Sequence, residues 1–95
     1  MIRDCIEKEL YRHSIHAIDR KIERNIELSD VLYVLKNGYH EKKKTLFDEA
    51  FKVWKYAIRG KTRDNIDIRV IITFTDNGML IITVMHVLSF EESKN

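Results

Sequence analysis

A chain of 95 residues, 44% hydrophobic and free of proline, is long enough for one domain with one thin core. Its single cysteine, Cys5, excludes an internal disulfide and any zinc site built on two or more thiolates. A net charge of +2, with 34% of residues charged, describes a mixed, mildly basic surface; it permits phosphate binding where lysines and arginines gather and does not demand it.

The same cysteine usage points to a reduced, cytoplasmic setting. Met1–Leu10 is interrupted by acidic residues and does not read as a secretory signal. The longest apolar run, around Met79–Val87, falls far short of a membrane span and contains His86. A single domain is expected over residues 1–90, followed by a flexible polar tail over 91–95.

Residues 2–24 favour helix. Ile15, Ile18 and Ile22 recur at helical spacing, and Tyr11 extends that stripe backwards, so these side chains are expected to face the core. Ser14 is a candidate N-cap, in which case residues 2–12 form a separate helical turn or a frayed extension. Asn25 ends the helix. Ser29 opens a second, with Val31, Val34 and Leu35 facing inward, and Asn37-Gly38 stops it because glycine accepts the left-handed backbone of a helix C-terminus.

After Gly38 the period changes from helical to alternating. Tyr39–Leu46 is mostly charged and reads as an edge strand whose lysines, within Glu41-Lys42-Lys43-Lys44, discourage aggregation. Asp48-Glu49 marks a turn. Trp54, Tyr56 and Ile58 then alternate with Lys55, Ala57 and Arg59 in a half-buried strand ended by Gly60. Ile66, Ile68, Val70, Ile72 and Phe74 line the apolar face of the next strand. Asp76-Asn77-Gly78 is a hairpin turn, and Met79–Leu88 is a closing strand that is apolar on both faces. This order predicts an α+β domain: two N-terminal helices packed on one face of a three- to four-stranded, mostly antiparallel sheet. Trp54, Tyr56, Ile68, Val70 and Ile72 are expected between the layers.

Alternation also sorts the polar residues. With the apolar faces under the helices, the open face carries Lys55, Arg59, Asp67, Arg69 and Thr73. A two-residue Asn77-Gly78 loop sets His86 opposite Arg69 on that open face. A three-residue Asp76–Gly78 loop puts Thr83 there and turns His86 inward. The two-residue loop is preferred, since Asn-Gly is the strongest type I′ signal. Lys55, Arg59, Arg69 and His86 together are residue types that metal-independent RNA cleavage uses: an imidazole for acid or base work, and cations for the charge developing on the phosphate.

On the first helix, His16, Arg20 and Arg24 stand four residues apart, nearly opposite the isoleucine stripe. The same pattern also describes an ordinary wet helix face paired with Asp19 or Glu23. His13 and His16 are three apart but lack a neighbouring carboxylate–histidine motif, so neither a metal nor another cofactor is expected.

Ser14-Ile15-His16-Ala17, Arg20, Arg24 and Ile26, followed by Asp30-Val31, Leu35, Gly38, Tyr56, Gly60, the Asp67–Thr75 strand and Ile82-Thr83-Val84, resemble a small uncharacterised bacterial domain family over residues 14–86. That family in turn looks related to the RelE, BrnT and MqsR toxin ribonucleases. The resemblance implies helices paired with an antiparallel sheet, RNA cleavage without metal, and two partners, RNA and a cognate antitoxin protein. It singles out His16, Arg20 and Arg24 as family-marking residues. The expected function is a metal-independent endoribonuclease toxin of a type II toxin–antitoxin system. Arg59 and Arg69 would hold the scissile phosphate, His86 would act as acid or base, and His16 would contribute from the helix. Lys55, Thr83, Arg20 and Arg24 would contact the substrate. The modest net charge departs from the strongly basic character of many such toxins. The alternative is a non-catalytic protein- or nucleic-acid-binding module on the same scaffold.

Overall fold

Ser14 settles where the second helix begins. Its hydroxyl accepts the Ala17 amide at 3.0 Å and donates to the Ile82 carbonyl at 2.7 Å, so it caps a helix and ties that helix to a distant strand. Residues before it therefore form separate elements. The computed structural model describes residues 1–87, except for the side chains of His16 and Arg20; the tail expected over 91–95 lies outside the described residues. The elements are α1 (Ile2–Glu7), β1 (Tyr11–His13), α2 (Ile15–Glu23), α3 (Leu28–Asn37), β2 (Tyr39–His40), a 3₁₀ turn over Lys42–Lys44, β3 (Leu46–Asp48), β4 (Val53–Lys61), β5 (Asp67–Thr75) and β6 (Gly78–His86).

The α+β class holds, with a sheet larger than expected. Five strands run in the order β1-β6-β5-β4-β2, and β3 pairs β4 beside β2 to make six. All pairs are antiparallel except β1 on β6, which is parallel and sets Tyr11 beside Met79. Among the described residues the α-helices number three instead of two. Residues 11–13 are a strand because their backbone groups pair with β6, a partner invisible to local periodicity.

α3 follows its expected inward face: Val31, Val34 and Leu35 are buried against Ile68, Val70 and Ile72 of β5 and Ile81 and Val84 of β6. Each such side chain contributes roughly 1.5–3 kcal/mol by leaving water. The cap of α3 is Glu27, not Ser29. A capping box joins Glu27 to Asp30, whose carboxylate accepts the Glu27 amide at 3.1 Å. Gly38 ends the helix in an extended conformation with φ −80°, so left-handed backbone is not its role there. A Cβ at Gly38 would stand 2.4 Å from the Arg59 carbonyl oxygen, and one at Gly60 would stand 3.0 Å from the Gly38 Cα. The two glycines let the end of α3 press directly onto β4.

Three burial expectations fail, the first at Ile66, which lies ahead of β5 and is exposed. Ile15 and Ile22 are 81% and 76% exposed, and Ile18 is exposed as well; among the described side chains of α2, the buried one is Ala17. The Ser14 bond to Ile82 fixes the rotation of α2, and the small Ala17 then allows close approach to β6. Trp54 is 51% exposed, although Tyr56 is half-buried and Ile68, Val70 and Ile72 are fully buried. It continues the helix-side face of β4 past the point that α1 and α3 cover.

The hairpin also differs. Thr75 pairs Gly78, so the loop is Asp76-Asn77, and neither residue has a positive φ. The turn is therefore not of type I′. Gly78 alone takes φ +133°, and a Cβ there would meet the Leu10 carbonyl oxygen at 2.2 Å. A β-bulge between Ile71 and Ile72 leaves Ile71 opposite Thr83 and Ile68 opposite His86. The bulge restores the register that the longer loop would have given.

Candidate nucleic-acid interface

The register decides which expected site residues meet. Arg59 and Arg69 are directly opposite on β4 and β5, on the open face. Two cations at a cross-strand pair repel unless anions intervene. Asp67 accepts from Arg59 Nε at 3.2 Å and from its Nη2 at 2.7 Å. Glu41, just after β2, accepts from Arg59 Nη1 at 3.3 Å and from Arg69 Nε and Nη2 at 2.5 and 3.2 Å. The Arg69 hydrogen bonds, with support from Arg59, hold the Glu41 carboxyl below its ordinary pKa even though partial burial opposes them. The Asp67 hydrogen bonds hold Arg59 protonated beyond the usual guanidinium range. Arg59 is only 6% exposed, so this is an internal ion network with its donors committed.

The other expected site residues scatter. His86 lies opposite Ile68, on the helix-side face, and its Nε2 is 3.0 Å from the Arg24 carbonyl oxygen at the end of α2. It therefore does not join Arg59 and Arg69. The register slip at the bulge moves it inward and leaves Thr83 on the open face. Arg24 donates from Nη1 to the Val84 carbonyl, which clamps α2 to β6. Lys55 is on the open face, ion-paired to Asp48 at 2.8 Å across β3 and β4. His16 and Arg20 sit on α2, and their side chains lie outside the described residues.

A second group of exposed residues lies along β2, β3 and the start of β4, where both short strands pair β4. Among the described residues, the exposed tyrosine, phenylalanine and tryptophan side chains are Tyr39, Phe47, Phe51 and Trp54, which fall within sixteen consecutive positions. Phe47 and Trp54 are cross-strand partners with ring centroids 5.3 Å apart, edge to face. Asp48 fixes the turn between them by accepting the Ala50 and Phe51 amides at 2.9 and 3.1 Å. Lys42, Lys43 and Lys44 are all exposed on the 3₁₀ turn that leads into β3. A cleft of about 480 Å³ opens along residues 39–44 against Arg59. His40 lines it, with Nε2 2.8 Å from the Thr45 hydroxyl and its ring edge-on to Tyr56 at 5.6 Å.

Exposed rings and exposed ammonium groups carried by one segment offer stacking surfaces together with phosphate neutralisation. Sequence reading missed this set because Trp54 shares the parity of Tyr56 and Ile58 and was placed in the core. The available signal was the density of aromatic residues around Lys42–Lys44. Among the described residues no cluster of three histidine, cysteine, aspartate or glutamate side chains is arranged to hold a metal ion. No helix among them is long and apolar enough to cross a membrane.

The fold is thus an α+β domain with a six-stranded, mostly antiparallel sheet and a few short helices. The chain belongs to the family described as DUF4258, a domain of unknown function, which it matches over residues 14–86. That span coincides with the resemblance noted from the sequence; no link from this family to RelE, BrnT or MqsR toxins was found. No curated protein and no solved structure matches the chain.

Proposed function

We propose that this domain binds single-stranded RNA around its β2–β4 edge, as a non-catalytic nucleic-acid-binding module. One observation carries the reading: Tyr39, Phe47, Phe51 and Trp54 are exposed in one stretch with the three lysines 42–44. Bases stack on the rings, worth roughly 1–3 kcal/mol each, and the lysines neutralise phosphates. The Arg59–Arg69 network supports the same reading from the other side, because guanidinium groups already bound to Asp67 and Glu41 are poor phosphate clamps. Fluorescence anisotropy with a labelled single-stranded RNA tests it. Trp54→Ala should weaken binding about tenfold at low salt, while Thr83→Ala leaves it unchanged. Absence of binding by the parent at low salt, or equal affinity of Trp54→Ala, overturns it.

A second reading keeps RNA as substrate and adds metal-independent cleavage by a type II toxin with a cognate antitoxin partner. It is favoured by His40, an exposed imidazole lining a cleft beside Lys42–Lys44. Growth arrest on induction that His40→Ala relieves, with RNA fragments appearing only for the parent, would select this reading over simple binding.

A further inference from the structure

Away from that surface, β1 and α2 bring two basic groups together. Lys21 Nζ lies 2.6 Å from His13 Nδ1, and both side chains are half-buried. Ser14, which joins the two elements, is fixed to β6 by its amide on the Ile81 carbonyl and its hydroxyl on the Ile82 carbonyl. The backbones of β1 and α2 that carry the two nitrogens are therefore held to β6 at their junction. Among the described residues, neither makes an ion pair with a carboxylate. Lys52 and Lys55 differ in this respect, being paired with Glu49 and Asp48.

We propose that Lys21 is an acyl-acceptor site, an amine that takes acyl groups from thioesters ahead of the surface lysines of the chain. A half-buried ammonium is poorly solvated, so burial lowers the Lys21 pKa. Burial and the Lys21 charge together lower that of His13, which keeps its ring neutral and its Nδ1 lone pair available. The ammonium proton passes to His13 Nδ1. The freed Nζ lone pair attacks the thioester carbonyl carbon, a C–N amide bond forms and the C–S bond breaks. His13 returns its proton to the departing sulfur, which leaves as thiol, and the second proton lost from nitrogen goes to water. An amine activated by desolvation and an adjacent base is a recurring form of nucleophile.

The test is peptide mapping by mass spectrometry after brief exposure of the folded chain to the acetyl thioester of N-acetylcysteamine. Lys21 should acquire acetyl groups severalfold faster than the exposed Lys43 and Lys44. His13→Gln should bring its rate down to theirs, and so should His13→Phe, which keeps a ring beside Tyr11 and removes the acceptor. Circular dichroism identifies whichever variant retains the fold. A parent in which Lys21 reacts no faster than Lys43 overturns the proposal. So does a folded His13 variant that keeps the parental Lys21 rate.

Discussion

Arg59 and Arg69 are cross-strand neighbours, and a single carboxylate, that of Glu41, accepts hydrogen bonds from both. The residue that reconciles two cations on one sheet face thus comes from the turn beside β2. Glu41→Ala leaves both guanidinium groups short of an acceptor in a largely buried place. It should cost about 3 kcal/mol of unfolding free energy in urea titration, the scale of breaking one side of a buried ion pair. Arg69→Ala should also lower stability. An arginine serving only as a phosphate clamp would leave the melting temperature unchanged.

The same carboxylate sets an acid limb. The Glu41 pKa is lower in the folded chain than in the unfolded one, chiefly through Arg69. Its contribution is therefore complete above the unfolded value of about 4.3 and is lost as pH falls through the folded value. Melting temperatures should drop as pH falls below about 4.3. In Glu41→Gln, that part of the drop should disappear.

Gly38 and Gly60 touch through their backbones, and substitution should be asymmetric. A Cβ at Gly38 would meet two carbonyl oxygens, of Arg59 and Val34, at 2.4 and 2.6 Å, neither of which can swing away. Gly38→Ala should cost about 3 kcal/mol or more and Gly60→Ala about 1 kcal/mol, as read from denaturant midpoints.

At the hairpin, Gly78 combines a positive φ with direct backbone contact to Leu10. Gly78→Ala should destabilise by about 2 kcal/mol or more, from backbone strain plus displacement of β1. Thermal unfolding with an unchanged midpoint would contradict this.

Phosphate neutralisation by the lysine turn has its own signature. Lys43→Gln with Lys44→Gln should reduce the slope of log affinity against log salt by up to about 1.4 for a single strand, with affinity falling alike for different RNA sequences.

Much of this architecture was legible in the sequence. Val31, Val34 and Leu35 on α3, and Ile68, Val70 and Ile72 on β5, are buried as their spacing predicts. The open face carries Arg59 and Arg69 as alternation requires. What escaped is set by distant partners. Tyr11–His13 becomes a strand only because β6 offers an edge. The bulge opposite Ile71 and Ile72 carries no local signature, and it alone turns His86 away from Arg69. The isoleucines of α2 define an amphipathic helix correctly, yet the anchor at Ser14 presents the opposite side to the sheet. The proposed interface was hidden for a related reason: parity places Trp54 on the helix-side face without saying how far along that face the helices reach.

The pairing of β1 with β6 has a consequence for synthesis. Ser14 and the Ile82 carbonyl it bonds are 68 positions apart. At translation rates of about 5–20 residues per second, roughly 3–14 s separate the making of one from the making of the other. Through that interval β1 and α2 have no sheet to join, and the exposed isoleucines of α2 are open to chaperones or to other chains. The partners of α3 on β4 and β5 are made earlier than β6, so β1 and α2 wait longer for theirs than α3 does.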